Sequence, residues 1–425
     1  MKQNHSQLPF ATLFMLAWRN LWRHRRRTII TLTSIAIGFG LAVLFIGIGD
    51  GSHNSMIRNA IKMGDGHIAV QPRGYMEAPA NYKYLQDGSH LQQLIAAADI
   101  EGSIHPRISL QLLASTANNS VGAALEGMAG SDDPRVAMLQ PNLIDGLWLQ
   151  ADDERGIVIG DGMARKLKVK LGSKVVLMAG TEGGDTQAQL ARVRGIFHSN
   201  VDELDDFLIV GNLPLAGLFL EGEGADLSQG PVTRFAIFLN DPDSVDHWKQ
   251  VLRSGVESET FVVLDWREMM PQLLQFIMID DAGNYVFLLL ILIMVVFGII
   301  NTVLMSVLER TREFGLLRAL GLGRRHLMLL VFCESLLLSL LAVLIGWFVG
   351  GGTHWWFSQH GIDFSAMMSE GTMAMGTFMD PVVYTELSWN RVIQLTTIVF
   401  AATLASGIYP ALKAARITPV EALRT

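Results

Sequence analysis

The chain has 425 residues, half of them apolar and only 17% charged, with a formal charge of −7. This balance fits a membrane protein carrying a sizeable water-soluble part; it argues against a wholly soluble chain, and no nucleic-acid partner is expected. The single cysteine, Cys333, lies in an apolar run and excludes an intrachain disulfide. An outer domain must then fold through its own core, and more than two hundred residues are enough for that.

Residues 8–27 read as an amphipathic lead-in. Phe10, Leu13, Phe14, Ala17, Leu21 and Trp22 recur near helical spacing and are followed by Arg23, Arg25, Arg26 and Arg27. Trp and Arg at the mouth of a span suit the headgroup region. The apolar stretch 28–49 exceeds the roughly 7–15 residues of a signal-peptide core. At about 1.5 Å per residue it reaches roughly 33 Å, enough to cross a bilayer, so a retained transmembrane helix is expected.

Three more apolar runs follow, placing spans at 283–308, 326–349 and 392–412. Four spans put both ends of the chain on one side. The segments 1–27, 309–325 and 413–425 carry 14 basic and three acidic residues, whereas 50–282 carries 18 basic and 32 acidic. The positive side is cytoplasmic, so 50–282 lies outside.

That outer segment mixes patterns and reads as α+β. Strands are expected at 67–72, 156–160, 174–178, 192–197, 207–210 and 234–239, and helices at 163–169 and 244–255. A block of short strands, about 140–230, is expected as an insertion into a part with more helix. The loop 350–391 holds Met367, Met368, Met373, Met375 and Met379 between Trp355, Trp356 and Trp389. Methionines can bind a soft metal. No His or Cys is spaced among these, and contact with lipid, a lipid-like substrate or the neighbouring domain is the better reading.

Recognisable enzymatic chemistry is missing. The chain has no G-x-x-x-x-G-K-[ST], no H-E-x-x-H and no G-x-S-x-G. His53, His67, His90, His105, His198 and His247 lack metal-site spacing. The run Asp202, Glu203, Asp205 and Asp206 is unlike an EF-hand loop, so it reads as a solvated loop and no metal is expected. Glu334, inside the third span, is a functional candidate by default, with snorkelling or pairing to a donor on another helix as the alternative.

The stretch 301–325, NTVLMSVLERTREFGLLRALGLGRR, stands out. It places Glu309, Arg310, Arg312, Glu313 and Arg318 between two apolar spans, so it must be presented at a membrane face. Phe314, Leu316, Leu317 and Leu320 read as an apolar ridge, larger than a simple hairpin between spans requires.

These residues, with YPALKAARITPVEAL at 409–423 and LAWRNLWRHRRRTIITLTSIAIG at 16–38, resemble the FtsX-like or MacB-like (type VII) ABC transporter permeases. GDGHIAV (64–70), IVIGDGMARKLKVKLGSKVVL (157–177) and VRGIFHSNVDELDDFLIV (193–210) are similar to the periplasmic core of the lipoprotein-releasing branch. The resemblance implies four transmembrane helices and a large α+β outer domain of Porter and Sabre type. It also implies a pair of permeases, identical or related, with two copies of a separate ABC ATPase that holds ATP and Mg. This chain is then not itself an enzyme. Glu309, Arg310, Thr311, Arg312, Glu313, Phe314, Gly315, Leu316, Leu317, Arg318, Ala319 and Gly321 would form the coupling helix seated in the ATPase groove. ATP closure would pass through the second span to the outer domain by mechanotransmission. Lipoprotein release is the expected activity, with a lipoprotein or lipidic substrate, membrane lipid and a periplasmic carrier or adaptor as partners. A transmembrane regulator of a cell-wall hydrolase, or an efflux permease working with an adaptor, is the alternative.

Overall fold

The computed structural model describes residues 10–23, 25–130, 132–150, 152–180, 185–199, 201–221, 230–255, 257–320, 322–365, 373–374, 377–378 and 380–416. The chain divides into two compact units, one comprising residues 1–54, 277–364 and 381–425 and the other residues 55–276 and 365–380.

Among the described residues, four helices are long and apolar enough to cross a membrane: Arg25–Met63, Pro271–Glu309, Arg324–His360 and Trp389–Ala415. The protein is a multi-pass inner-membrane protein with four spans and an α+β extracytoplasmic domain between the first and second. The first two helices have 39 residues each. At about 1.5 Å per residue each is roughly 58 Å long, nearly twice the hydrocarbon thickness. They are therefore longer than a crossing of the hydrocarbon core requires. The third helix runs through Gly350–Gly352 to His360, and the fourth breaks at Gly407.

The membrane unit packs through its spans. Ile35, Val295, Ile299, Val303, Leu337 and Ala342 form the core towards the cytoplasmic side, while Phe39, Val43, Ile46, Leu288, Leu395 and Val399 form a second. The third span presents Gly346 and Gly350, one turn apart, to the first. A Cβ at Gly346 would lie 2.4 Å from Phe39 Cδ1, and one at Gly350 would lie 2.9 Å from Gly40 Cα. Small residues at such spacing let helix backbones approach closely in lipid.

Among the described residues, the main sheet of the outer unit has ten strands: β1 (Ile68–Pro72), β2 (Gly102–Ser115), β3 (Ser120–Met128), β4 (Leu143–Gly146), β5 (Gly156–Gly160), β6 (Lys174–Gly180), β7 (Thr186–Phe197), β8 (Leu208–Asn212), β9 (Arg234–Leu239) and β10 (Phe261–Asp265). The order β10-β1-β9-β2 is antiparallel throughout. With helices Gly88–Ala96 and Val245–Gly255 it makes a split βαβ sheet around Val70, Ile95, Phe235, Ile237 and Leu252. Between β2 and β9 the chain inserts a second body. Strands β2, β3, β8, β5, β7 and β6 pair in turn, and β6 returns to β2, closing a six-stranded barrel. Its interior is filled by Leu110, Leu125, Ile157, Ile159, Leu177, Val193 and Ile209. The insertion expected at about 140–230 thus begins earlier, within β2, because that strand is shared by both bodies.

Arg107 marks the crossing. It is the last β2 residue paired with β9 and the first paired with β3. Its side chain is fully buried and makes two hydrogen bonds to the equally buried Asp133, at 3.0 and 2.6 Å. Arg107 also donates to Gly64 O, and Arg135 donates to Met63 O at 2.5 Å and Gly64 O at 3.2 Å. Two guanidinium groups therefore cap the carbonyl end of the helix Arg25–Met63, where the helix dipole favours positive charge. Burial works to raise the Asp65 carboxyl, but the ion pairs with Arg234, Arg135 and Arg107 outweigh it and hold it below the usual range.

Candidate functional site

The second span ends at Glu309, and Arg310 leaves helical geometry (φ −101°, ψ 14°) before a nine-residue helix, Thr311–Ala319. Thr311 Oγ1 donates to Leu308 O at 2.7 Å, and Phe314 N donates to Arg310 O at 3.0 Å, so the break is hydrogen-bonded on both sides. The reason for the break lies across the bundle. Arg310 turns inward and donates to Glu334 Oε1 at 2.8 Å; Asn20 Nδ2 donates to the same oxygen at 2.7 Å. The intramembrane carboxylate is therefore paired with donors from two other elements, as charge in that setting requires.

The same residues brace the short helix. Glu313 bonds Arg23 at 2.8 Å and Arg310 at 3.3 Å, and Glu309 pairs with Arg27. Burial would raise the Glu313 carboxyl, but the hydrogen bonds from Arg310 and Arg23 hold it below the ordinary glutamate range. The amphipathic helix Phe10–Arg23 supplies this brace. Its Leu13, Ala17 and Leu21 are buried with Val307 and Leu327, while Phe14, Trp18 and Trp22 stay exposed at headgroup-type positions.

The two faces of Thr311–Ala319 differ. Phe314 is fully buried with Leu13, Ala17 and Val303, and the Arg310 guanidinium lies 4.9 Å above its ring. Gly315 is buried beside it. Phe314 accordingly does not belong to an outward ridge, contrary to the sequence expectation; the cluster formed with the N-terminal helix draws it inward. The outward surface consists of Leu316 (58% exposed), Leu320 (77%), Leu317, Arg312 and Ala319. Arg318 is half-buried, and Gly321 lies outside the described residues. Asn20, Arg23 and Arg27 were not legible as partners, because their contacts to Glu334, Glu313 and Glu309 span about three hundred residues of sequence.

A second polar cluster joins the other ends of three spans. Arg391 bonds Asp281 at 2.8 Å and Asp50 at 3.1 Å, and also reaches Tyr285; His53 Nε2 meets Asp280 at 2.9 Å. Met373 falls in a two-residue strand paired with Thr377–Phe378, whereas Met367, Met368, Met375 and Met379 lie outside the described residues.

A chain with four spans, a barrel-bearing outer domain and a braced helix between spans two and three has the architecture of an ABC permease. The model of the MacB-like periplasmic core domain matches residues 28–254, and that of the FtsX-like permease C-terminal region matches residues 285–419. The chain belongs to the FtsX-like and MacB-like family of ABC transporter permeases. It is 22% identical to an uncharacterized ABC transporter permease of Methanocaldococcus jannaschii over 97% of both chains. It is 21% identical to the lipoprotein-releasing system transmembrane protein LolE of Haemophilus influenzae over 97% of this chain and 99% of that one. To the macrolide export ATP-binding/permease protein MacB of Wolinella succinogenes it is 26% identical over 96% of this chain but only 60% of that protein. The protein is thus a permease whose extracytoplasmic domain is coupled to an ATPase partner.

Proposed function

We propose that this permease releases lipoproteins, or comparable lipid-anchored substrates, from the outer leaflet of the inner membrane. It does so by mechanotransmission, with ATP hydrolysed on a separate chain. The observation that carries the reading is the helix Thr311–Ala319: its base is fixed by Arg310, Glu313 and Phe314, and it offers Leu316, Leu317 and Leu320 to a partner. An exposed apolar patch on a rigid support is the arrangement a groove in another protein can grip. Glu309 and Arg310 connect that helix directly to the second span, so displacement of one moves the other. The absence of a phosphate-cradling motif supports an ATPase on another chain, and the full-length similarity to a lipoprotein-releasing permease supports the substrate class. Two permeases, identical or related, would complete the assembly.

The test is ATP-dependent release of a triacylated lipoprotein from proteoliposomes holding the permease and its ABC ATPase. Wild type should release it, and Leu316→Asp/Leu320→Asp should lose ATPase co-purification and release together while retaining its melting temperature. Undiminished release by that variant would count against the coupling role. Release of a macrolide-like compound, or activation of a cell-wall hydrolase, with no effect on lipoprotein would replace the substrate assignment.

A further inference from the structure

The outer domain brings three potential ligand atoms from separate parts of the chain to one point. His198 Nδ1, just past the end of β7, lies 3.3 Å from Asp161 Oδ1 and 3.0 Å from Asp205 Oδ2. All three atoms are shielded from solvent, and none makes an aligned hydrogen bond. Asp205 is 1% exposed, so its Oδ2, which meets only His198 Nδ1, is a buried polar atom aimed at the same point as the others. An unsatisfied buried carboxylate oxygen is costly unless something completes it.

The opposite oxygens are already engaged. Asp205 Oδ1 accepts from Ser199 N at 2.9 Å and Ser199 Oγ at 2.6 Å, and Asp161 Oδ2 pairs with Arg165. His198 is held at its backbone by Asn142 O, 2.9 Å away. Each carboxylate is thus oriented by outer partners that leave one oxygen directed inward, as metal ligands usually are. Gly160 and Gly162, on either side of Asp161, permit the approach. A Cβ at Gly160 would lie 2.3 Å from Asp205 O, and one at Gly162 would lie 2.1 Å from Asp206 Oδ1.

We propose that Asp161, His198 and Asp205 form a divalent metal site, with Zn²⁺ as its ion. Four ligands at about 2.0–2.1 Å from Zn²⁺ in tetrahedral array stand roughly 3.3 Å from one another, close to the distances from His198 Nδ1. An imidazole nitrogen and two carboxylate oxygens suit Zn²⁺, whereas Ca²⁺ takes six to eight oxygen ligands. The partly exposed His198 ring leaves the fourth position to water. The site fastens the helix Asp161–Leu167, the end of β7 and the helix Asp202–Phe207, and so acts as a structural clasp at one end of the barrel. No spacing signal marks these three residues, because Asp161 lies far upstream of His198. Among the described residues, the other trio of this kind, Asp50, His53 and Asp281, already has Arg391 bonded to both carboxylates and needs no ion.

The full-length protein in detergent, stripped with EDTA and desalted, is titrated with ZnSO₄. Bound metal is measured by mass spectrometry, and Co²⁺ absorption reports the ligand field. The expected result is one saturable Zn²⁺ per chain that raises the melting temperature. His198→Ala and Asp161→Asn should each bind at least 10-fold more weakly and lose the thermal shift, and they keep Asp205 and its Ser199 bonds intact. Absence of saturable Zn²⁺ in the wild type would overturn the site and leave a protonated His198 bridging two carboxylates. Equal affinity in both variants would overturn it too, by placing the ion among the remaining histidines.

Discussion

Arg310 and Glu334 share a 2.8 Å ion pair in which less than a tenth of either side chain is exposed. Removing one member of such a pair strands the other, at a cost of about 3–5 kcal/mol. Glu334→Ala should therefore lower the melting temperature of the detergent-solubilised permease sharply. Arg310→Leu/Glu334→Leu, which removes both charges, should recover most of that loss. Fluorescence-detected unfolding of the two variants against wild type decides it; a double variant as unstable as the single would show that the pair is not the unit that matters.

Phe314 lies on the buried face of a short helix whose opposite face is exposed. Its ring is fully buried, so Phe314→Ala should cost about 3–5 kcal/mol of stability. Arg312→Ala, on the exposed face, should stay within about 0.5 kcal/mol of wild type. Chemical denaturation in mild detergent is the measurement, and equal losses for the two would contradict the assignment of faces.

Gly346→Val should spread the first and third spans, because the new side chain would meet Phe39. Overpacking of this kind costs about 1–3 kcal/mol. The buried Cys333 provides a built-in probe. Its reaction with a maleimide dye should shift to lower temperature in Gly346→Val and remain unchanged in Gly352→Ala, where an added Cβ meets nothing.

Acid should loosen the outer domain through its depressed carboxylates. Burial raises the Asp133 pKa, but Arg107 more than offsets it and the net shift is downward; the same holds for Asp265, bonded by Lys249. For a depressed carboxylate the stabilisation is complete above the unfolded value of about 3.9 and is lost as pH falls through the lower folded value. Melting temperature should thus hold between pH 7 and about pH 5 and fall below about pH 4. Asp133→Asn should start lower at pH 7 and fall less steeply.

Much of the architecture could be read from residue patterns, and the failures share a cause. β5 and β9 were found at their true limits because GIVIG and RFAIFL are apolar runs closed by turn residues. β2 escaped because GSIHPRISLQLLAS carries Pro106, and β3 because SVGAALEGM is rich in Ala and Gly, residues depleted in strands. Their stability comes from pairing within the barrel, which no local pattern encodes. At the cytoplasmic site, the charged helix between spans was legible from composition alone. The inward turn of Phe314 was not, since it depends on Leu13 and Ala17 being folded against it and on Arg310 lying over its ring. The convergence of Asp161, His198 and Asp205 is likewise a product of topology.

The first and last strands of the outer domain are neighbours. Ile68 pairs with Asp265 and Pro72 with Phe261, so β1 and β10 form five antiparallel pairs. The helix ending at Met63 feeds one end of that ribbon, and the chain leaves the same end towards the helix starting at Pro271. Because β10 lies at the sheet's edge, a pull on that strand alone would open the ribbon one rung at a time from Ile68–Asp265, whereas a pull shared by both strands would load all five rungs together.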